Sequence, residues 1–147
     1  MLVSYRHEDG AVESVSTDDL SALESAEVEK VTGETWDGVE SALRAESPTA
    51  MRAVLWVHRK RSAGNLRFNE FDLPSWRRRL TARLELADLE EMVGNLRRSG
   101  DAARPGWDEV LEHLRSLAAD PEDVDRAVAA TAPKVAAPAK KPAASKS

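Results

Sequence analysis

The most apolar stretch of the chain covers residues 47–61, S-P-T-A-M-R-A-V-L-W-V-H-R-K-R. Ser47 followed by Pro48 is typical of a helix N-cap with proline at the first helical position. At about 100° per residue, the apolar side chains cover more than half of the circumference, so other elements must enclose this helix on several sides. The run is too short for the roughly 20 apolar residues that a bilayer requires, and we expect no membrane partner. The remaining arc carries Arg52, Trp56, Arg59 and Lys60.

Helical patterns lie on both sides of this run. Before it, a cap at Ser16 or Thr17 predicts a helix over residues 18–32 that ends at Gly33, with an apolar stripe that includes Leu23. Thr35 predicts the cap of a second helix over residues 36–45. These helices and the central one predict a compact helical cluster.

After the central helix, residues 66–73 predict an extended segment or single turn that inserts two phenylalanines into the core. Pro74 then predicts the start of a long helix to about residue 98, with a break allowed near Leu86. Residues 107–118 form the cleanest amphipathic stripe in the chain, and a last short helix begins at Asp120-Pro121. The second half is therefore expected to be helical up to about residue 130, apart from a loop at residues 99–106.

Residues 2–16 predict a β-hairpin because Asp9-Gly10 is a strong signal for a two-residue type I′ turn. That turn would pair Arg6 with Glu13. A lone hairpin is marginally stable in water, so we expect it to pack on the helices or to join another strand. The alternative is a frayed N-terminal arm.

The composition changes at residue 131, after which the chain is mostly alanine, proline and lysine. Such a segment cannot bury enough apolar surface to offset its chain entropy. The sequence thus predicts a hairpin arm at 1–16, a helical domain at 17–130 and a disordered tail at 131–147. The fold class is mainly α, a small helical bundle with an N-terminal β-hairpin and a disordered C-terminal tail.

The net charge of −5 conceals a strong segregation of charge. Residues 1–51 hold 3 basic and 12 acidic side chains, whereas residues 52–104 hold 12 basic and 7 acidic ones. This pattern favours contacts between the acidic and basic parts, within the chain or between copies. It weighs against nucleic acid as a partner, since the whole molecule repels phosphate. The lack of cysteine and of a signal peptide suits the cytoplasm.

No known catalytic or metal-binding motif occurs in the sequence, and His7, His58 and His113 are far apart. His58 falls on the predicted buried arc of its helix, where a single histidine is typical of a core position. We therefore expect no enzyme activity, no metal and no cofactor.

A basic cluster accompanies two of the tryptophans, and two interpretations of it stay open. Arginines interleaved with aromatic side chains can neutralise phosphates and stack on bases. Alternatively, they pair with Glu24, Glu27 and Glu29 of the acidic first helix, in the same or a neighbouring subunit. The residues of the basic cluster are Arg52, Arg59, Lys60, Arg61, Arg77, Arg78 and Arg79.

The apolar stripes of the second half, with their tryptophans, predict a surface for a partner helix. An amphipathic helix binds in an exposed apolar groove, and tryptophans dominate the energy of many interfaces. In the alternative, the stripes pack on each other and complete the core. The predicted partner-binding residues are Trp56, Trp76, Leu80, Trp107, Leu111 and Leu114.

Four features of residues 18–73 occur together: an acidic helix leading to V-T-G at 31–33, a helix start T-W-D at 35–37, an alanine- and tryptophan-containing helix with a basic end, and an acidic segment around Phe68. In these features the chain resembles the small tail assembly chaperones of long-tailed phages that infect actinobacteria. The resemblance covers under half of the chain. Gly38 departs from it, since a helix former, commonly glutamate, is expected there.

The resemblance implies a non-enzymatic, mainly helical protein in the cytoplasm of the host cell. Such chaperones coat the long, apolar, helical tape measure protein and keep it soluble until tail tube subunits assemble around it. In many phages of this kind a ribosomal frameshift near the end of the gene also appends a longer C-terminal extension to a minority product. Self-association is a further expectation, in keeping with the charge segregation described above. The alternatives are a nucleic-acid-binding accessory protein and a structural connector or tail component of the virion.

Overall fold

The computed structural model describes residues 1–134, and the part of the predicted tail at 135–147 lies outside them. The fold class is confirmed, because helices make up most of the described chain and the strands form one small N-terminal sheet. In chain order the elements are β1 (Leu2–Arg6), β2 (Val12–Ser16), α1 (Ala22–Thr32), α2 (Trp36–Arg44), α3 (Pro48–Arg59), α4 (Trp76–Arg79), β3 (Leu80–Arg83), α5 (Leu86–Arg98), α6 (Trp107–Leu117) and α7 (Glu122–Thr131).

Helix α3 lies at the centre of the core, as its sequence predicts, and contacts α1, α2 and all three strands. Trp56 departs from the predicted polar arc and is only 6% exposed. Its ring packs edge-on against Phe68 at 5.3 Å, and its Nε1–H donates to the Leu66 carbonyl at 3.0 Å. His58, predicted on the buried arc, is less buried than expected: it is half-buried and does not belong to the core. The buried residues of α3 are Ala50, Met51, Ala53, Val54, Leu55, Trp56 and Val57.

The N-terminal hairpin is present, but its register differs from the predicted one by a residue. Arg6 lies opposite Val12, because the connection is a five-residue loop at 7–11 and not a two-residue turn. Gly10 adopts a φ of 90° in this loop. The observed register places Val3 opposite Val15, with both side chains in the core, whereas a shift by one residue would move one of them to the other face.

The sheet has a third strand that the sequence analysis missed. Its order is β2-β1-β3, and β3 pairs antiparallel with β1 from Tyr5 opposite Leu80 to Leu2 opposite Arg83. The helix predicted from Pro74 is therefore wrong over residues 80–85, whereas the break near Leu86 and the end at Arg98 are confirmed. One helical turn, α4, comes first, then β3, and α5 begins at Leu86. With both its edges paired, β1 is the central strand and belongs to the core.

The start of α1 also differs from the prediction. Residues 17–19 form a short 3-10 turn, and α1 begins later, at Ala22. Ser21 is its N-cap and forms a capping box with Glu24, in which each side chain bonds the backbone N–H of the other residue. Leu23, predicted on the buried stripe, is 82% exposed. Gly33 ends the helix in the left-handed conformation, as predicted.

The remaining predictions for the core are confirmed. The 66–73 segment contains a single 3-10 turn, with Phe71 buried and Phe68 half-buried. Helices α6 and α7 occupy nearly the predicted positions, and α7 packs against both α5 and α6. One apolar cluster runs through the whole domain and includes the hairpin, which excludes a frayed arm.

Candidate partner-binding surfaces

The basic residues at the end of α3 are paired with acidic residues of the same chain. Arg61 contacts Glu24 of α1 at 2.8 Å, and Lys60 contacts Glu27 at 3.1 Å. Arg59 pairs with Glu13 of β2. The interpretation that the basic cluster pairs with the first helix is thus confirmed for two of its residues. The third acidic residue named for it, Glu29, accepts the backbone N–H of Trp36.

These ion pairs shift the ionisation of the carboxylates. Hydrogen bonds from the Arg61 guanidinium lower the pKa of Glu24 to about 2. Partial burial alone would raise the pKa of Glu13, but Arg59 and His7 outweigh it and hold the pKa below its usual value. Both carboxylates are therefore charged at neutral pH and neutralise the basic end of α3.

Arg52 is also used within the chain. Its Nη1 donates to the carbonyls of Phe68 and Phe71 at 2.6 and 2.8 Å, and its guanidinium lies 3.8 Å from the centre of the Phe68 ring. Arg52 therefore fastens the 66–73 segment to α3. Four of the seven residues in the basic cluster serve the fold in this way.

The other three members of the basic cluster lie on α4. Arg79 is half-buried and donates to the carbonyl of Arg6 at 3.1 Å. Arg77 and Arg78 are exposed, and the Arg77 guanidinium lies 5.0 Å from the Trp76 ring. The basic surface that this structure offers to a partner is thus reduced to the α4 turn.

The predicted partner-binding residues do not form one surface. Four of them lie in the core, namely Trp56, Leu80, Leu111 and Leu114. For these four the structure agrees with the alternative, in which the stripes complete the core. Trp76 and Trp107 are half-buried on the surface, on helices α4 and α6. The four core residues cannot contact a partner while the domain keeps this fold.

A different apolar surface lies where the end of α2 meets β3, α5 and α6. It is a groove of about 250 Å³, here called the α2–β3 groove. Arg44, Glu46 and Arg83 supply its charged groups. None of its residues was predicted as a site, because they come from four elements whose meeting depends on the unforeseen strand β3. Its apolar lining is Met1, Ala45, Ala82, Leu84, Met92 and Leu117.

Glu46 in this groove has a backbone conformation that glutamate rarely adopts. Helix α2 ends in a Schellman motif, in which Ser47 N–H donates to the Ala42 carbonyl and Glu46 N–H to the Leu43 carbonyl, both at 2.9 Å. The motif requires a left-handed residue, and Glu46 has a φ of 53°. Glycine is the usual residue there, and a side chain costs about 1 kcal/mol. No sequence signal marks this site, because many helices end without a glycine.

The amino group of Met1, the residue that also lines the groove, is held by two carboxylates. It lies 2.9 Å from Asp88 and 3.2 Å from Glu85 of the α5 N-terminus, and it donates to Thr17 Oγ1. Burial alone would lower the pKa of this amino group, but the two carboxylates outweigh burial and raise it. This contact joins the first strand to the start of α5.

No protein-family model, no curated protein and no solved structure matches the chain. Within residues 1–134, no group of three or more side chains is arranged to hold a metal ion. No helix in that part has both the length and the apolar character that a membrane crossing demands.

Proposed function

We propose that this protein is a non-catalytic phage tail assembly chaperone that binds the tape measure protein and keeps it soluble while the tail is built. The tail tube protein is a further partner, and the host cytoplasm is the place of action. The observation that carries the proposal is the resemblance of residues 18–73 to this class of chaperones.

The arrangement of residues 18–73 supports the proposal. They comprise α1, α2, α3 and the 66–73 segment, and α3 contacts both of the other helices. Arg52 bonds the last part of this region to α3, and Lys60 and Arg61 bond α3 to α1. The features that carry the resemblance thus lie in one packed unit, as expected if they reflect a shared fold.

The surface chemistry agrees with a helical client. A long apolar helix needs temporary cover for its apolar side chains, and a groove between helices and strands is a common way to provide it. The α2–β3 groove offers apolar side chains with charged groups at its edge. A chaperone of this kind needs no reacting groups of its own.

Co-expression with the tape measure protein of the same phage tests the proposal. We expect the soluble fraction of that protein to rise and the two chains to elute together in size-exclusion chromatography. An unrelated acidic helical protein of similar size is the control and should give no rise. A tape measure protein that remains insoluble beside abundant soluble chaperone would refute the proposal.

The second candidate is a nucleic-acid-binding accessory protein, and the α4 turn is the observation that favours it. Arg77 and Arg78 are exposed beside the half-buried Trp76. This candidate predicts binding to labelled single-stranded DNA that weakens steeply between 50 and about 200 mM salt. It also predicts that the double change Arg77→Ala and Arg78→Ala abolishes binding. Absence of binding at low salt would exclude it.

A further inference from the structure

We propose that the α2–β3 groove binds one amphipathic helix of the client, with an apolar side chain of that helix inside the groove and charged residues of both signs beside it. The inference rests on the proposed function, because it names the part of the chaperone that the client contacts. It also specifies the chemistry of the client segment.

The size and lining of the groove fit an aliphatic or aromatic side chain. A volume of about 250 Å³ exceeds the roughly 150 Å³ of an apolar cavity that holds benzene. Ala82 of β3, Leu84 directly after β3 and Leu117 of α6 contribute aliphatic surface. Met92 of α5 adds a flexible thioether side chain, which adapts its shape to different apolar partners.

The charged groups at the edge favour a helix that carries both signs. Arg44 is 45% exposed and forms an ion pair with Glu40, one helical turn before it. That pair is weak, because its N–O distance is as long as 3.9 Å and both side chains are exposed to solvent. Arg83 donates through one nitrogen to the Ser116 carbonyl at 3.1 Å. Glu46 is exposed and negative. A client helix would complement this edge if it directed a carboxylate towards the arginines and a lysine or arginine towards Glu46. An amphipathic helix can do so, because charged residues flank its apolar stripe on both sides.

The backbone at Glu46 is the second observation that points to a ligand. Residues held in an unfavourable backbone conformation cluster at binding sites, where the side chain is kept despite its cost in stability. Glycine would end α2 with less strain. A glutamate at this position is explained if its carboxylate receives a cationic group of the client.

The first experiment measures binding of a synthetic helical peptide to the full chain by fluorescence anisotropy. The probe is an 18-residue peptide with leucines along one stripe, glutamates on one side of it and lysines on the other. The comparison peptide has alanines in place of the leucines. We expect Ala45→Arg, an exposed position at the edge of the groove, to weaken probe binding at least tenfold.

The matched control is Ala26→Arg, at another exposed alanine, which lies on α1 outside the groove. We expect this variant to bind the probe within twofold of the native chain, and the alanine peptide to bind neither. Equal affinity of the native chain and Ala45→Arg, or no binding of the probe to the native chain, would overturn the inference.

Changes at Glu46 separate binding from stability. We expect Glu46→Gly to raise the melting temperature by about 3 °C, because it removes the strained side chain, and to weaken probe binding about fivefold. Glu46→Gln keeps the side chain and should weaken binding to a similar extent without the gain in melting temperature. Unchanged binding by both variants would exclude a role for this carboxylate.

The co-expression experiment distinguishes failure of the inference from failure of the proposed function. If the native chain and Ala45→Arg keep the tape measure protein soluble equally well, the proposed function stands and the groove is not the client site. If the native chain fails to solubilise that protein, the proposed function fails, whatever the peptide shows. Loss of solubilisation with Ala45→Arg but not with Ala26→Arg would support both.

Discussion

Single residues decide how the chain beyond α3 is held, and Arg52 is the clearest example. Its position in the sequence assigns it to the polar side of α3, which suggests solvent or a binding surface. In the structure it bonds two carbonyls and lies over the Phe68 ring. Sequence periodicity predicts the side of the helix on which a residue lies. It does not predict which backbone carbonyls elsewhere in the chain will accept hydrogen bonds from that residue.

We predict that Arg52→Ala lowers the free energy of unfolding by about 2–3 kcal/mol. Hydrogen bonds from a charged donor and an aromatic contact are both lost, and the two carbonyls lose a partner. Urea denaturation followed by circular dichroism measures this. Arg67→Ala, at an exposed position on the same segment, is the control and should change stability by less than about 0.5 kcal/mol. Equal effects of the two changes would contradict the role assigned to Arg52.

A second prediction at this scale concerns pH and Glu24. Its pKa is about 2 in the folded chain, below the ordinary value of 4.5, so the folded state binds its proton less readily than the unfolded state does. The stability that this carboxylate contributes is present above pH 4.5 and is lost as the pH falls towards 2. We expect Glu24→Gln, which retains the capping box, to reduce the loss of stability over this interval.

Urea midpoints at several pH values between 7 and 2 test this prediction. Arg61→Gln removes the main cause of the lowered pKa and should flatten the same interval. If native chain and both variants lose stability in parallel, the Glu24–Arg61 pair does not contribute to the acid sensitivity of the fold.

Among the elements, helices with a clear apolar side were predicted well and β3 was not. Trp76, Leu80 and Leu84 are spaced by four, which favours one long helix. The alternation of apolar and polar residues from 80 to 84 is equally a strand pattern, and burial follows that period of two. The unpaired edge of β1 decides between the two patterns. When residues 80–83 form a strand, they hydrogen-bond to the backbone groups on that edge, whereas a helix would leave those groups of β1 to solvent.

Helices α5 and α7 pack closely at Gly94, which gives a prediction for this pair of elements. A Cβ at that position would lie 3.3 Å from Arg98 Nη1 and 3.9 Å from Thr131 Cγ2. The end of Arg98 can move, so we expect Gly94→Ala to raise the free energy of unfolding by up to about 1 kcal/mol, through its higher helix propensity.

Gly94→Leu should have the opposite effect and lower stability by about 1–3 kcal/mol, since it forces α7 away from α5. Thermal and urea unfolding of the two variants check the signs. A stable leucine variant would show that the two helices do not pack this closely in solution.

At the scale of the whole molecule, residues 18–73 are not separate from the rest of the chain. Helix α3 contacts all three strands, α2 contacts β3, and Arg59 of α3 pairs with Glu13 of β2. The charge pattern favoured contacts between the acidic first helix and the basic residues, and two such ion pairs are present. The charge pattern could not predict the α2–β3 groove, because that groove forms only where β3 brings α5 and α6 next to the end of α2.

We predict that a chain ending at residue 73 does not fold cooperatively. It would lack β3 and the apolar side chains of Leu80, Ala82 and Leu84, and would leave β1 with an unpaired edge. A chain ending at residue 134 should unfold in one sharp thermal transition, whereas the shorter one should show a broad transition and bind a hydrophobic dye. A sharp transition for the shorter chain would contradict the dependence on β3.

The central position of β1 also bears on how the protein is made. On the ribosome, β1 and β2 emerge before β3, and the strand that closes the other edge follows only after four helices, α1 to α4, have been synthesised. During that interval the nascent chain carries an open strand edge, which is prone to pair with other chains. Translation speed over residues 17–83 therefore sets how long each new molecule is exposed to aggregation before its own fold protects it.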